Sequence, residues 1–215
     1  MEILLSTAYM APVQAYARMY KADSVREERC ETFLKQTYRN RCLIMTANGP
    51  LALTVPIVHC GGNVPVSEVR ISQQGNWQKL HWNALVSAYE RSPFFEYYAD
   101  DFLPFYKEKW ELLTDFNAAL RDTVLRLLDI SVEVKPTVEY VRDFQGEDCR
   151  MLISPKSKLE NDRRFHPRPY YQVFAHKFGF VPGLSIADLL FNMGPESRLI
   201  LRDSLCAECN RPCAD

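Results

Sequence analysis

Lys35, Arg39 and Arg41 fall in one short segment and alternate with Gln36, Tyr38 and Asn40. In an extended chain, residues two apart share a face, so the three cations would project together and the other three from the opposite side. A guanidinium grips a diphosphate or a carboxylate through two parallel hydrogen bonds, so such a face suits an anionic small molecule. The same charges also fit a solvated strand, or ion pairs with Glu27, Glu28 and Glu31.

His81 follows Trp77 by four residues and precedes Tyr89 by eight, which places all three along one side of a helix. An imidazole there can act as a general acid or base, with Tyr89 orienting it or helping to hold substrate. The alternative is a half-buried histidine in an aromatic cluster. Tyr9 and Pro12 flank a loop ahead of a helix, where a phosphate could rest on exposed backbone N–H groups.

Other groupings carry less. Ser185-x-x-Asp188 before an apolar run reads as a capping box rather than a nucleophile and its acid. Lys156, Lys158, Arg163, Arg164, His166 and Arg168, with Glu160 and Asp162 among them and followed by Tyr170 and Tyr171, could close over an anionic substrate or form a solvated loop. Cys206-x-x-Cys209-x-x-x-Cys213 is half a zinc motif without a fourth ligand at motif spacing, so no metal is assigned. Neither Gly-x-Gly-x-x-Gly nor a P-loop occurs, and no cofactor is expected.

Positioning these groups requires an α/β frame. A strand over Glu2 to Ser6, a loop, and a helix opening at Pro12 with Val13, Tyr16, Ala17 and Tyr20 at helical spacing form the first unit. The charge-dense stretch from Val25 to Arg41 resists assignment. Strands over Cys42 to Thr46 and Leu51 to Ile57 flank Ala47-Asn48-Gly49-Pro50, a hairpin signal, and a third strand is expected at Val66 to Ile71. Asn76 can cap a helix over Trp77 to Ser92, which Pro93 ends. Short aromatic-rich turns over Phe94 to Tyr106, a long amphipathic helix from Trp110 to Leu128, a strand near Thr137 to Arg142 and a polar loop from Gln145 to Arg168 follow. A last helix is expected at Ser185 to Asn192. The expected class is therefore α/β, with a mixed sheet opened by a strand–loop–helix unit and a largely helical second half.

The 215 residues, 47% hydrophobic and 25% charged, suit one domain over 1–205 with a flexible Cys-containing tail over 206–215. A net charge of −1 excludes binding to nucleic acid by bulk charge. No stretch is long and apolar enough for a membrane span, and Met1 to Thr7 lacks the basic start of a signal peptide. With an odd number of cysteines, seven, reduced thiols and a cytoplasmic location are expected.

Four blocks together resemble the WbqC-like family of bacterial proteins: Ser6-Thr7-Ala8-Tyr9-Met10-Ala11-Pro12; Lys35 to Cys42 with Ala47-Asn48-Gly49 and Leu53 to Pro56; Trp77-Gln78-Lys79-Leu80-His81-Trp82 with Ala88-Tyr89 and Ser92 to Phe95; and Phe174 with Leu184 to Gly194. Longer members carry a Gly-rich insertion near Gln145 to Asp162, where this chain has a shorter charged stretch, and the Cys-rich tail lies outside the shared pattern. The resemblance implies a role in cell-surface polysaccharide pathways such as O-antigen assembly, and settles no reaction. The reading that joins it to the residues is acyl or aminoacyl transfer to a nucleotide-linked amino sugar. Tyr9, Lys35, Gln36, Arg39, Asn40 and Arg41 would bind the substrate, His81 and Tyr89 would act as catalytic groups, and pathway enzymes would be candidate partners. The alternative is a non-catalytic sugar-nucleotide-binding or scaffold protein of the same pathway.

Overall fold

Ile3 and Leu4, adjacent in the first strand, are both fully buried, one on each face. A strand covered on both faces belongs to the interior of a parallel sheet. The computed structural model, which describes residues 1–58 and 62–206, places β1 (Glu2–Ser6) there. It leads through α1 (Val13–Lys21) to a parallel neighbour, β2 (Ser24–Glu28), with Ile3 opposite Val25 and Leu5 opposite Glu27. β5 (Glu133–Pro136) lies outside β2 and β6 (Glu147–Asp148) on the other flank of β1, giving the all-parallel order β5-β2-β1-β6.

A separate antiparallel hairpin pairs β3 (Arg41–Thr46) with β4 (Gly49–Thr54). Only Ala47 and Asn48 form the turn, tighter than the sequence signal suggests, because Gly49 takes φ +106° and already pairs with Thr46. The helices are α2 (Trp77–Tyr89), α3 (Phe95–Phe102), α4 (Leu113–Leu127), α5 (Ala175–Phe178), α6 (Ile186–Met193) and α7 (Ser197–Asp203). α6 is buried from Ile186 to Asn192, as befits a helix apolar nearly all round. The class is α/β, as expected.

Four local expectations need correction. β2 was hidden in the unassigned stretch because four of its five residues are polar or charged. Val66 to Ile71 is a short 3-10 turn over Val66–Glu68 followed by isolated bridges, not a strand. The strand expected at Thr137 to Arg142 lies earlier, at Glu133–Pro136, where the partner β2 is long enough to hold it. Asn76 makes no side-chain cap, and α2 starts without one. Apart from Cys206 the expected tail lies outside the described residues, as do His59 and Cys60.

Candidate functional site

β1 leaves toward β2 while β6 arrives on its other flank, so the carboxyl ends of these strands diverge into a crevice. Open parallel sheets bind ligands at such places. A cavity of about 310 Å³ occupies it, at the low end of the range for small-molecule sites. Ser6, Thr7 and Ala8 leave β1 along one wall, and Glu27 closes β2. Thr37, Tyr38 and Arg39 come from the turns before β3, and Arg121 from α4. Cys149, Arg150, Ser154 and Lys156 come from the segment after β6.

Each guanidinium of the lining is held from behind by carboxylate. Arg39 Nε donates to Glu31 Oε1 at 2.9 Å, and its Nη2 donates to Ser6 Oγ at 3.2 Å. Arg121 pairs with Glu27 and with Asp122, whose Oδ1 lies 2.9 Å from its Nε. Arg150 is bidentate on Asp148 and reaches the fully buried Glu28 at 3.1 Å. These contacts fix the forks in place, and Arg150 Nη1 also donates to the Val141 carbonyl at 2.9 Å. Lys156 stands exposed at the rim. Cys149 is buried in the lining, and burial pushes its thiol up to about 12, so it stays protonated.

The sequence-predicted residues separate. Gln36 adopts φ +60°, and residues 35–40 form turns, so the alternation of an extended strand never develops. Arg39 turns inward, nearly buried, onto Glu31 and the cavity. Arg41 opens β3 and reaches the Thr54 hydroxyl at 3.2 Å, while Lys35 and Gln36 face solvent. Asn40 closes the chain locally: its Nδ2 donates to the Val55 carbonyl at 2.9 Å. Of the six residues expected to bind substrate, Arg39 lines the cavity.

His81 and Tyr89 share a face of α2 but do not meet. The imidazole Nδ1 shares a 3.0 Å hydrogen bond with the Tyr9 hydroxyl, which in turn bonds Tyr106 at 2.8 Å. Trp77 lies edge-on at 5.2 Å, and Phe116 stacks on Tyr9 at 5.5 Å. This aromatic cluster lies apart from the cavity lining. Desolvation lowers His81 from 6.5 to about 4, against a small opposing pull from the Thr54 carbonyl, and the ring is neutral near pH 7. Tyr89 donates to Asp188 Oδ1 at 2.9 Å and accepts from the Met45 N–H at 3.2 Å. Of the N–H groups ahead of α1, that of Tyr9 is taken by the Tyr38 carbonyl and that of Val13 by Leu184. Ser185 does cap α6. Its expected capping-box partner Asp188 instead accepts hydrogen bonds from Tyr89, Tyr170 and Gln172.

Two positioning residues escaped the sequence reading. Asn117 donates to the Arg39 carbonyl at 2.8 Å and to Thr7 Oγ1 at 3.3 Å, tying two walls of the cavity to α4. Its signal was available: it interrupts the apolar stripe of Leu113, Phe116, Leu120 and Val124. Asp162 pins the segment after β6 to α1, bonding Gln14 Nε2 and Arg18 Nη2 at 2.6 Å each. Among the described residues no cluster of His, Cys, Asp or Glu could hold a metal ion, and no helix is long and apolar enough to cross a membrane.

The family model described as the WbqC-like protein family matches residues 8–169, a span containing every cavity-lining residue from Ala8 onward. A Mycobacterium tuberculosis protein, described as uncharacterized protein Rv1507c, is 28% identical over 196 residues, covering 79% of this chain and 84% of that one. No solved structure matches. Because the matched span runs from the end of β1 through the rim, the aromatic cluster and the Asp162 pin, the chain belongs to the WbqC-like protein family.

Proposed function

We propose that the cavity binds the phosphate-bearing part of a nucleotide-linked sugar, and that the protein serves bacterial cell-surface polysaccharide assembly. The observation that carries this reading is the row of carboxylate-braced guanidinium groups, Arg39, Arg121 and Arg150, around the crevice at the strand ends. Guanidinium N–H groups left over from such braces suit phosphate oxygens. The pathway follows from the family resemblance.

Within that pathway the enzymatic form of the reading is acyl or aminoacyl transfer to the sugar's amino group. The amine nitrogen would bond to the acyl carbon, the bond to the donor would break, and a proton would leave the nitrogen. His81 lies outside the cavity and would not receive that proton directly. In the lining, the carboxylate of Glu27 is the group able to accept it, although both its oxygens are already engaged by Arg29 and Arg121. That arrangement favours the second reading, a protein that binds the sugar nucleotide without transforming it.

Thermal denaturation with UDP, UDP-N-acetylglucosamine and dTDP-glucose tests the binding. A ligand specific for the native state raises the midpoint with concentration, and Arg39→Ala should abolish the rise. If none of these compounds raises the midpoint, the proposal fails. Mass spectrometry of an amino-sugar nucleotide incubated with acyl donors separates transfer from binding.

A further inference from the structure

The cavity changes polarity with depth. Its deep wall is aliphatic: Val25 and Val134 lie side by side in register on β2 and β5. Two residues nearer the strand ends, about 6.6 Å on, the same face of β2 presents Glu27. The opposite wall is α1, from which Ala15, Tyr16 and Met19 line the cavity, with Ala11 just ahead of the helix. Ala11 and Ala15 stop at Cβ and leave room on that side. Of the charged lining groups, Arg39, Arg150 and Lys156 come from segments beyond the strand ends, and Arg121 of α4 pairs with Glu27. Apolar surface is thus collected at one end and anion-binding groups at the other.

We propose that this floor is an acyl subsite, seating a short unbranched acyl limb of a phosphate-bearing molecule whose anionic end stays among the rim cations. The whole cavity, about 310 Å³, equals roughly ten water volumes at ~30 Å³ each, so the limb on its floor is limited to fewer than about ten heavy atoms. The assignment rests on the anion-binding reading above and narrows it to an acylated ligand. Two carriers share this chemistry, a phosphopantetheine thioester and an N-acylated sugar nucleotide.

Calorimetric titration with inorganic phosphate and with butyl, hexyl and octyl phosphate tests it on the intact protein. Affinity should rise about fourfold per buried methylene across the short members and level off when the floor is full. Ala15→Leu should remove the chain-length gain while leaving UDP binding unchanged; if that variant does not fold, Ala15→Val should shorten the longest limb accepted. Equal affinity across the series, or a gain undiminished by substitution at Ala15, overturns the proposal. Normal UDP binding with a flat series removes the subsite alone, whereas a steep series without sugar-nucleotide binding removes only the nucleotide-sugar reading. Hexanoyl coenzyme A against coenzyme A, and UDP-glucosamine N-hexanoylated against N-acetylated, identify the carrier by which pair gains; gain in neither overturns the assignment.

Discussion

Arg39 Nη2 donates to Ser6 Oγ across 3.2 Å, joining the end of the first strand to a turn more than thirty residues later. Both residues line the cavity, and the Arg39 carbonyl is held by Asn117 from a third element. The anion-binding reading is concentrated in this junction.

Removing the guanidinium with Arg39→Ala leaves Glu31 without its partner in a nearly dry setting. The expected cost is about 3 kcal/mol of stability, together with loss of sugar-nucleotide binding. Glu31→Gln separates the two effects: the pair is broken but the guanidinium remains, so binding should survive in weakened form. Urea denaturation and calorimetry read the two quantities independently.

Asn117→Leu removes both bonds from α4 to the cavity walls without opening a cavity in the stripe. The Arg39 carbonyl and the Thr7 hydroxyl lose a buried donor, at about 1–2 kcal/mol. Ligand affinity should fall even though Asn117 is not itself in the lining. An unchanged dissociation constant would rule out its positioning role.

His81 and Asp188 should shape the acid profile in opposite directions. Desolvation lowers His81 from 6.5 to about 4, so its contribution is complete above the unfolded value and is lost as pH falls toward 4. Desolvation raises Asp188 from 3.8 to about 6, so its contribution is present at low pH and lost as pH rises through 6. Each shift corresponds to roughly 3 kcal/mol. Measured against the natural chain, His81→Phe should become relatively more stable between pH 7 and pH 4, and Asp188→Asn relatively less. Denaturation series that run parallel for the two variants would contradict these burial assignments.

Asp162 holds the fully buried Arg18, and its carboxyl sits below the usual range because that guanidinium and Gln14 donate to it, against the opposing effect of burial. Asp162→Ala leaves Glu147 as the carboxylate partner of the buried Arg18 and removes the acceptor of Arg18 Nη2 and Gln14, at a cost of about 1–3 kcal/mol. The segment after β6 supplies much of the cavity wall, so limited proteolysis should cut near Lys156 faster in this variant. An unchanged cleavage rate would show that the pin does not order the wall.

The Cys149 thiol, pushed up by burial to about 12, should resist alkylation in the native protein at neutral pH while the half-exposed Cys30 and Cys206 react. Peptide mass spectrometry after brief iodoacetamide treatment checks this. Rapid native labelling of Cys149 would mean that this part of the lining opens to solvent.

Elements whose signal is local were legible in the residues themselves. The 3.6 spacing of Leu113, Phe116, Leu120 and Val124 marked α4, the Asn-Gly turn marked the hairpin, and the flanking Gly-Pro pairs marked α6. Family membership was legible too, because short ordered blocks survive without knowledge of their contacts. Pairing between distant segments was not. β2 is mostly charged because its carboxyl end feeds the ionic rim, so it carries no apolar run to announce it. Arg39 parted from Arg41 because the turns run on through Asn40 and the strand begins at Arg41, so the two never share an extended segment. His81 found Tyr9 rather than Tyr89 because a helix sets only the direction of a side chain, and whatever packs against that face decides its partner.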